Sequence, residues 1–228
     1  MKRMLALAAL VFSLPVIMNA QTTQVGFTAG ITSSDMYGKV GGNKVGGDKR
    51  NGYGFGLFLN APIKKTSISF APSLNYVQKG NTQLKNNNVD NWTALRYAEL
   101  QANFVYNTNG PKGNNFFIGG GPFGGVNLPS AFVAKSIVRD PTKPDYWLRS
   151  ERNVNIGNEA NIGNEANSHF RFGDYGVNMI MGYRMKCGWG FAFNYSAGLR
   201  NLKPMATGDD YINNHVMGLQ LSYLVKNK

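Results

Sequence analysis

At 228 residues, with 16% charged side chains and a formal charge of +12, the chain is sized for one domain. It is poorer in charge than an ordinary water-facing surface, where about 25% is usual. Its one cysteine, Cys187, excludes an internal disulfide. Beyond the first twenty residues no stretch reaches the ~18 to 20 apolar residues of a spanning helix, so the chain is either soluble or crosses a membrane as strands.

Residues 1–20 read as a signal peptide, cleaved on export through the inner membrane. Lys2 and Arg3 precede an apolar run over residues 5–17, and Ala20 closes it before Gln21. Residues 21–228 then form one domain. Eight segments in it alternate with the period of two that marks strands. Residues 24–32 set Val25, Phe27, Ala29 and Ile31 on one face. Residues 52–60 set Tyr53, Phe55, Leu57 and Leu59 against Gly54, Gly56 and Phe58. Residues 66–77 pair Ile68, Phe70, Leu74 and Tyr76 against serines and Asn75. Residues 94–106 pair Ala98, Leu100, Ala102, Phe104 and Tyr106 against Glu99, Gln101 and Asn103. Residues 115–128 are too rich in glycine for their faces to be assigned. Residues 170–184 set Tyr175, Val177, Met179, Met181 and Tyr183 against Asp174, Gly176, Asn178 and Gly182. Residues 188–199 set Trp189, Phe191, Phe193, Tyr195 and Leu199 against Gly190, Ala192, Asn194 and Ser196. Residues 213–225 set Met217, Leu219, Leu221, Tyr223 and Val225 against Gly218, Gln220 and Ser222.

In every assignable segment the bulky face is apolar and the other is mostly small and polar. An eight-stranded cylinder has interior room only for modest side chains. Volume therefore directs the large rings outward, into lipid, and the small polar groups inward. On this reading Tyr53, Phe55, Leu57, Phe70, Leu74, Phe104, Val177, Trp189, Phe191, Phe193, Tyr195, Leu219, Leu221 and Tyr223 face lipid. Glu99, Gln101, Asp174, Asn178, Arg184 and Asn194 line the interior. A β-sandwich, which could also bury the rings, is the alternative.

The connections run 19, 5, 16, 8, 41, 3 and 13 residues, long and short in strict alternation. Short turns at 61–65, 107–114 and 185–187 belong on the periplasmic side, and loops at 33–51, 78–93, 129–169 and 200–212 on the outside. The expected fold is thus all-β, an eight-stranded antiparallel up-and-down transmembrane barrel in a bacterial outer membrane. Its third external loop carries NIGNEA twice in tandem, at 155–160 and 161–166, most simply a duplication in a tolerant surface loop. Pro72 and Pro122 fall inside expected strands, where bulges are anticipated.

Several segments carry a family likeness: APSLNYVQKG (71–80), LRYAELQANFVYN (95–107), GGGPFGGV (119–126), RFGDYGVNMIMGYRM (171–185) and FNYSAGLRNL (193–202). With them the chain resembles the PorT-like family of outer-membrane β-barrel proteins. It departs where Glu99-Leu100-Gln101 replaces the family's frequent Glu-Ile-Pro. The resemblance implies the fold and the location, and no particular role.

The basic excess gathers in the short turns and tail, at Lys64, Lys65, Lys112, Lys186, Lys226 and Lys228. A one-sided rim of this kind suits headgroups or solvent rather than nucleic acid. The expected surroundings are outer-membrane lipids and lipopolysaccharide, with envelope or secretion proteins as candidate partners. The chain has no metal-ligand spacing, phosphate-binding loop or serine elbow, so no cofactor or metal is expected. Only His169 and His215 could serve a hydrolase, with Asp209 and Asp210 near the second. The reading preferred is a non-enzymatic barrel with a scaffold, adhesion or secretion-accessory role. A narrow ion or small-solute channel is the alternative, and an outer-membrane hydrolase ranks last.

Overall fold

The computed structural model describes residues 23–84, 89–109, 114–128, 133–139, 147–153, 171–203 and 208–225. The signal segment, the NIGNEA repeat, His169, Lys112 and the C-terminal lysines lie outside the described residues. The strands are β1 (Gln24–Val40), β2 (Asn43–Gly46), β3 (Asp48–Pro62), β4 (Ile68–Leu84), β5 (Val89–Asn107), β6 (Asn115–Asn127), β7 (Val133–Arg139), β8 (Trp147–Asn153), β9 (Gly173–Arg184), β10 (Trp189–Gly198) and β11 (Tyr211–Leu224). Eight of them close a barrel in the order β1-β3-β4-β5-β6-β9-β10-β11, and β11 returns to β1. Every neighbouring pair is antiparallel. At one end the turns are short. Between β9 and β10, Gly188 takes φ +98° while its N–H donates to Met185 O at 3.0 Å, a conformation glycine adopts without strain.

At the other end the strands outrun the sequence expectation. β1 continues to Val40 rather than residue 32, β4 reaches Leu84 rather than 77, and β5 begins at Val89 rather than 94. Nineteen residues of β5 span about 60 Å, against the 9–11 residues that cross hydrocarbon. The expected loop 129–169 contains a hairpin, β7–β8, and β7 pairs with β5 at Val89–Ala94. β2 likewise folds back on β1. Past the apolar band the strands carry mostly polar residues, so backbone pairing continues where the hydrophobic alternation that betrays it has stopped.

The interior holds larger side chains than expected. Phe117, Phe123 and Tyr97 are buried inside, and β6, whose faces the sequence left unassigned, turns Phe116 and Ile118 outward. Room comes from glycine directly across the ladder: Phe58 faces Gly26, Phe117 faces Gly182 and Phe123 faces Gly176. A Cβ on Gly26 would lie 2.3 Å from the Phe58 ring, and one on Gly182 would lie 2.7 Å from that of Phe117. Each ring thus occupies the space its partner vacates.

The expected bulges at the prolines are absent. Pro72 pairs with Ala102 on β5, and Pro122 pairs with Val177 on β9, both in unbroken register. Each strand instead skips pairing on its other side, between Phe58↔Ser73 and Ala61↔Phe70, and between Gln101↔Phe123 and Phe104↔Gly120. Two skipped residue pairs in each case absorb the missing N–H without displacing a residue. The register shift that does occur lies between Lys49 and Gly54, at the outer end of β3.

Gly26→Ala should destabilise the barrel by about 1–3 kcal/mol through overpacking against Phe58. In a double-mutant cycle followed by urea unfolding in vesicles, Gly26→Ala with Phe58→Leu should lose less than the two single changes added together. Strict additivity would place the obstruction elsewhere.

Candidate functional site

The most concentrated polar chemistry lies inside the barrel, toward its long-stranded end. Gly125 on β6 pairs with Glu99 on one side and with Asp174 on the other. Its missing side chain leaves the gap that Glu99 fills, since a Cβ there would sit 2.9 Å from Glu99 Cγ. Into this notch β4 sends Lys79, 1% exposed. Lys79 Nζ pairs with Glu99 and lies 2.9 Å from Asp174 Oδ2. Asn214 Nδ2 donates to the same Asp174 oxygen at 3.2 Å. The ammonium also lies 4.8 Å from the Tyr97 ring and 4.6 Å from that of Phe123. Aromatic faces replace part of the hydration the cation has lost. One ammonium thus bridges two carboxylates across three strands, closed in by side chains that solvent does not reach.

Glu99, Asp174 and Arg184 are the charges that the alternation places inside the barrel, where a charged plug needs acid and base in contact. The structure brings the first two together and leaves Arg184 apart, near the short-turn end, its guanidinium 5.1 Å from the Phe117 ring. The cation that completes the plug is Lys79, which the sequence reading placed in an external loop because the strand was ended at Val77. The family-like ending Tyr-Val-Gln-Lys-Gly was the available signal: read as strand, Lys79 has the inward parity of Ser73 and Asn75.

Below the plug comes a neutral layer. Gln101 Oε1 accepts from Ser73 Oγ at 3.4 Å and from Asn178 Nδ2 at 3.3 Å, and Asn75 Nδ2 donates to Ser73 Oγ at 2.8 Å. Asn178 and Asn194 are both buried. Beneath this layer lies a cavity of about 60 Å³ lined by Arg184, Gln101 and Asn194 among others.

On the outer face, Tyr53, Phe55, Leu57, Leu74, Phe104, Val177, Trp189, Phe191, Phe193, Leu219, Leu221 and Tyr223 are exposed, and Tyr195 is half-buried. Phe70 differs: it shares the outward parity of Leu74 but is only 7% exposed, because the Phe104 ring lies 5.2 Å away and covers it. Paired rings mark both ends of this face, Trp189 with Tyr223 at 5.1 Å beside the short turns and Tyr37 with Tyr211 at 6.2 Å on the far side.

At the outer rim Asp210 is tied down. It pairs with Lys203 and accepts the Gly41 N–H at 2.8 Å. The Lys203 hydrogen bond, aided by that of Gly41, holds its carboxyl below the usual aspartate range. His215 lies elsewhere, between the rings of Tyr37 at 4.3 Å and Tyr195 at 5.7 Å, with Asp35 opposite it in the ladder. The Asp210–His215 pair considered from sequence is therefore not assembled. Among the described residues no group of three or more His, Cys, Asp or Glu side chains could hold a metal.

Residues 19–203 match the family model described as outer membrane protein beta-barrel domain. Among solved structures, Ail, the attachment invasion locus protein of Yersinia pestis, is 10% identical over 89% of this chain and 99% of its own, with a TM-score of 0.41. Neisserial surface protein A is 7% identical over 87% of this chain and 96% of its own, with a TM-score of 0.43. OprG of Pseudomonas aeruginosa is 11% identical over 90% and 95%, with a TM-score of 0.36. No curated protein sequence matches the chain.

Lys79→Met would strand two buried carboxylates and should cost about 3–5 kcal/mol in unfolding free energy. Adding Glu99→Gln and Asp174→Asn should recover much of that loss. A single substitution as mild as a surface change would contradict the ion-bridge assignment.

Proposed function

This chain belongs to the outer membrane protein beta-barrel family, and from that premise we propose that it is a sealed, non-enzymatic barrel that acts through its surfaces. The observation that carries this reading is the Lys79–Glu99–Asp174 bridge across the lumen. An ion on its way through would have to break a desolvated charge bridge whose three side chains are all buried. With transport disfavoured, the parts left to work are the outer face and the long strands beyond it.

In this reading the exposed rings from Tyr53 and Phe55 round to Leu221 and Tyr223 contact hydrocarbon. The paired aromatics at either end sit at headgroup level, and lipopolysaccharide meets the barrel on its long-stranded side. Residues 1–20 serve as the export signal and are removed. The segments resembling the PorT-like family support placing the chain in that branch, and an adhesive, scaffolding or secretion-accessory duty is what a sealed barrel leaves open to it. The paired strands β4, β5, β7 and β8 extend the sheet past the apolar band, where envelope or secretion proteins could reach it.

Reconstituted into a planar bilayer, the protein should give no steady single-channel steps. Uniform, reproducible steps would contradict the sealed reading and favour a narrow path for ions or small solutes.

A further inference from the structure

The cation left out of the plug leads to a second site. Arg184 closes β9 and points into the barrel, where it is 7% exposed. Its Nε and Nη1 are buried and have no hydrogen-bond partner among the described residues. The Phe117 ring, 5.1 Å from the guanidinium carbon, covers a face of the group and offers its N–H edge nothing. Among the described residues the adjoining cavity is lined by neutral amides and hydroxyls, among them Asn60, Asn103 and Gln220, and by the apolar side chains of Val105, Ile180 and Ala192, with no carboxylate. The interior acids Glu99 and Asp174 are engaged by Lys79 at the opposite end. A buried guanidinium without a counter-charge is costly, and the surroundings supply hydrogen bonds but no negative charge.

We propose that Arg184 is the anchor of a binding site for one small oxyanion, of the phosphate or carboxylate class, in the short-turn half of the lumen. Arginine presents its N–H groups as a planar fork that two oxygens of such an anion match. Size agrees: a water needs roughly 10–15 Å³ of such space, so a cavity of about 60 Å³ suits a group of four or five heavy atoms. The amides and hydroxyls can turn donors toward the remaining oxygens. Outside, the exposed Lys64, Lys65 and Lys186 give the adjacent turns a positive field that concentrates anions there.

The test is thermal unfolding of the full chain, folded in detergent, against rising inorganic phosphate. Ionic strength is held with a sulfonate buffer anion too bulky for the cavity. Wild type should show a saturable rise in Tm, as a ligand that binds only the folded state requires. Acetate should compete for the site. Arg184→Gln should abolish the saturable rise, while replacement of Lys64, Lys65 and Lys186 by Gln should preserve it at saturation. A wild type indifferent to phosphate, or an Arg184→Gln variant that responds equally, would overturn the proposal. If Arg184→Gln does not fold, phosphorus NMR of phosphate with the wild type decides. Saturable line broadening that acetate reverses supports the site, and its absence refutes it.

Discussion

Hydrocarbon offers a peptide group no hydrogen-bond partner, so a chain that crosses it as strands must pair both edges of every strand. The rest of this structure follows from that requirement. The first barrel strand finds the last, from Gly26↔Leu224 to Lys39↔Tyr211, and closure leaves no free edge in the circuit. Closing the sheet then creates two surfaces with opposite needs. The outer one can be large and apolar without limit. The inner one has a fixed volume, so each side chain placed there must fit its neighbours, and each polar group left without a partner is costly.

The inner surface meets those demands in two ways. Aromatic rings are admitted where a glycine across the ladder yields space, as with Phe58 over Gly26 and Phe123 over Gly176. Charge is admitted where opposite signs converge, as Lys79 does on Glu99 and Asp174. Phe123 takes part in both, since the ring that fills the hollow over Gly176 also faces the Lys79 ammonium. Packing and electrostatics therefore depend on one another at the long-stranded end. At the other end Arg184 has a ring beside it and, among the described residues, no acid in the cavity it lines, so the lumen is asymmetric in charge along its axis.

Much of this was legible in the sequence. Alternation along residues 188–199 needs no structure to interpret, and alternating connection lengths indicate which ends of the strands share a side. Legibility stopped where the physics producing the pattern stopped. The run Gln78-Lys79-Gly80-Asn81-Thr82-Gln83 has no apolar alternation, although β4 continues through it paired with β5. Ending the strand at Val77 hid Lys79, and with it the cation of the interior plug. Partnerships across strands were also out of reach, because the facing residues are far apart in the chain. Gly26 and Phe58, or Lys79 and Asp174, meet only once register is set. Phe70 shows the limit of parity itself: its direction follows from the alternation, whereas its cover by Phe104 comes from the neighbouring strand.

The account depends on which way the two faces of the strands point in a bilayer. The most direct measurement is a nitroxide scan of β10 in vesicles, with Cys187 first replaced by serine and single cysteines placed from Trp189 to Gly198. Collision with dissolved oxygen, which concentrates in hydrocarbon, should peak at positions 191, 193 and 195 and fall at 192, 194 and 196. A flat profile, or one of opposite phase, would contradict the account.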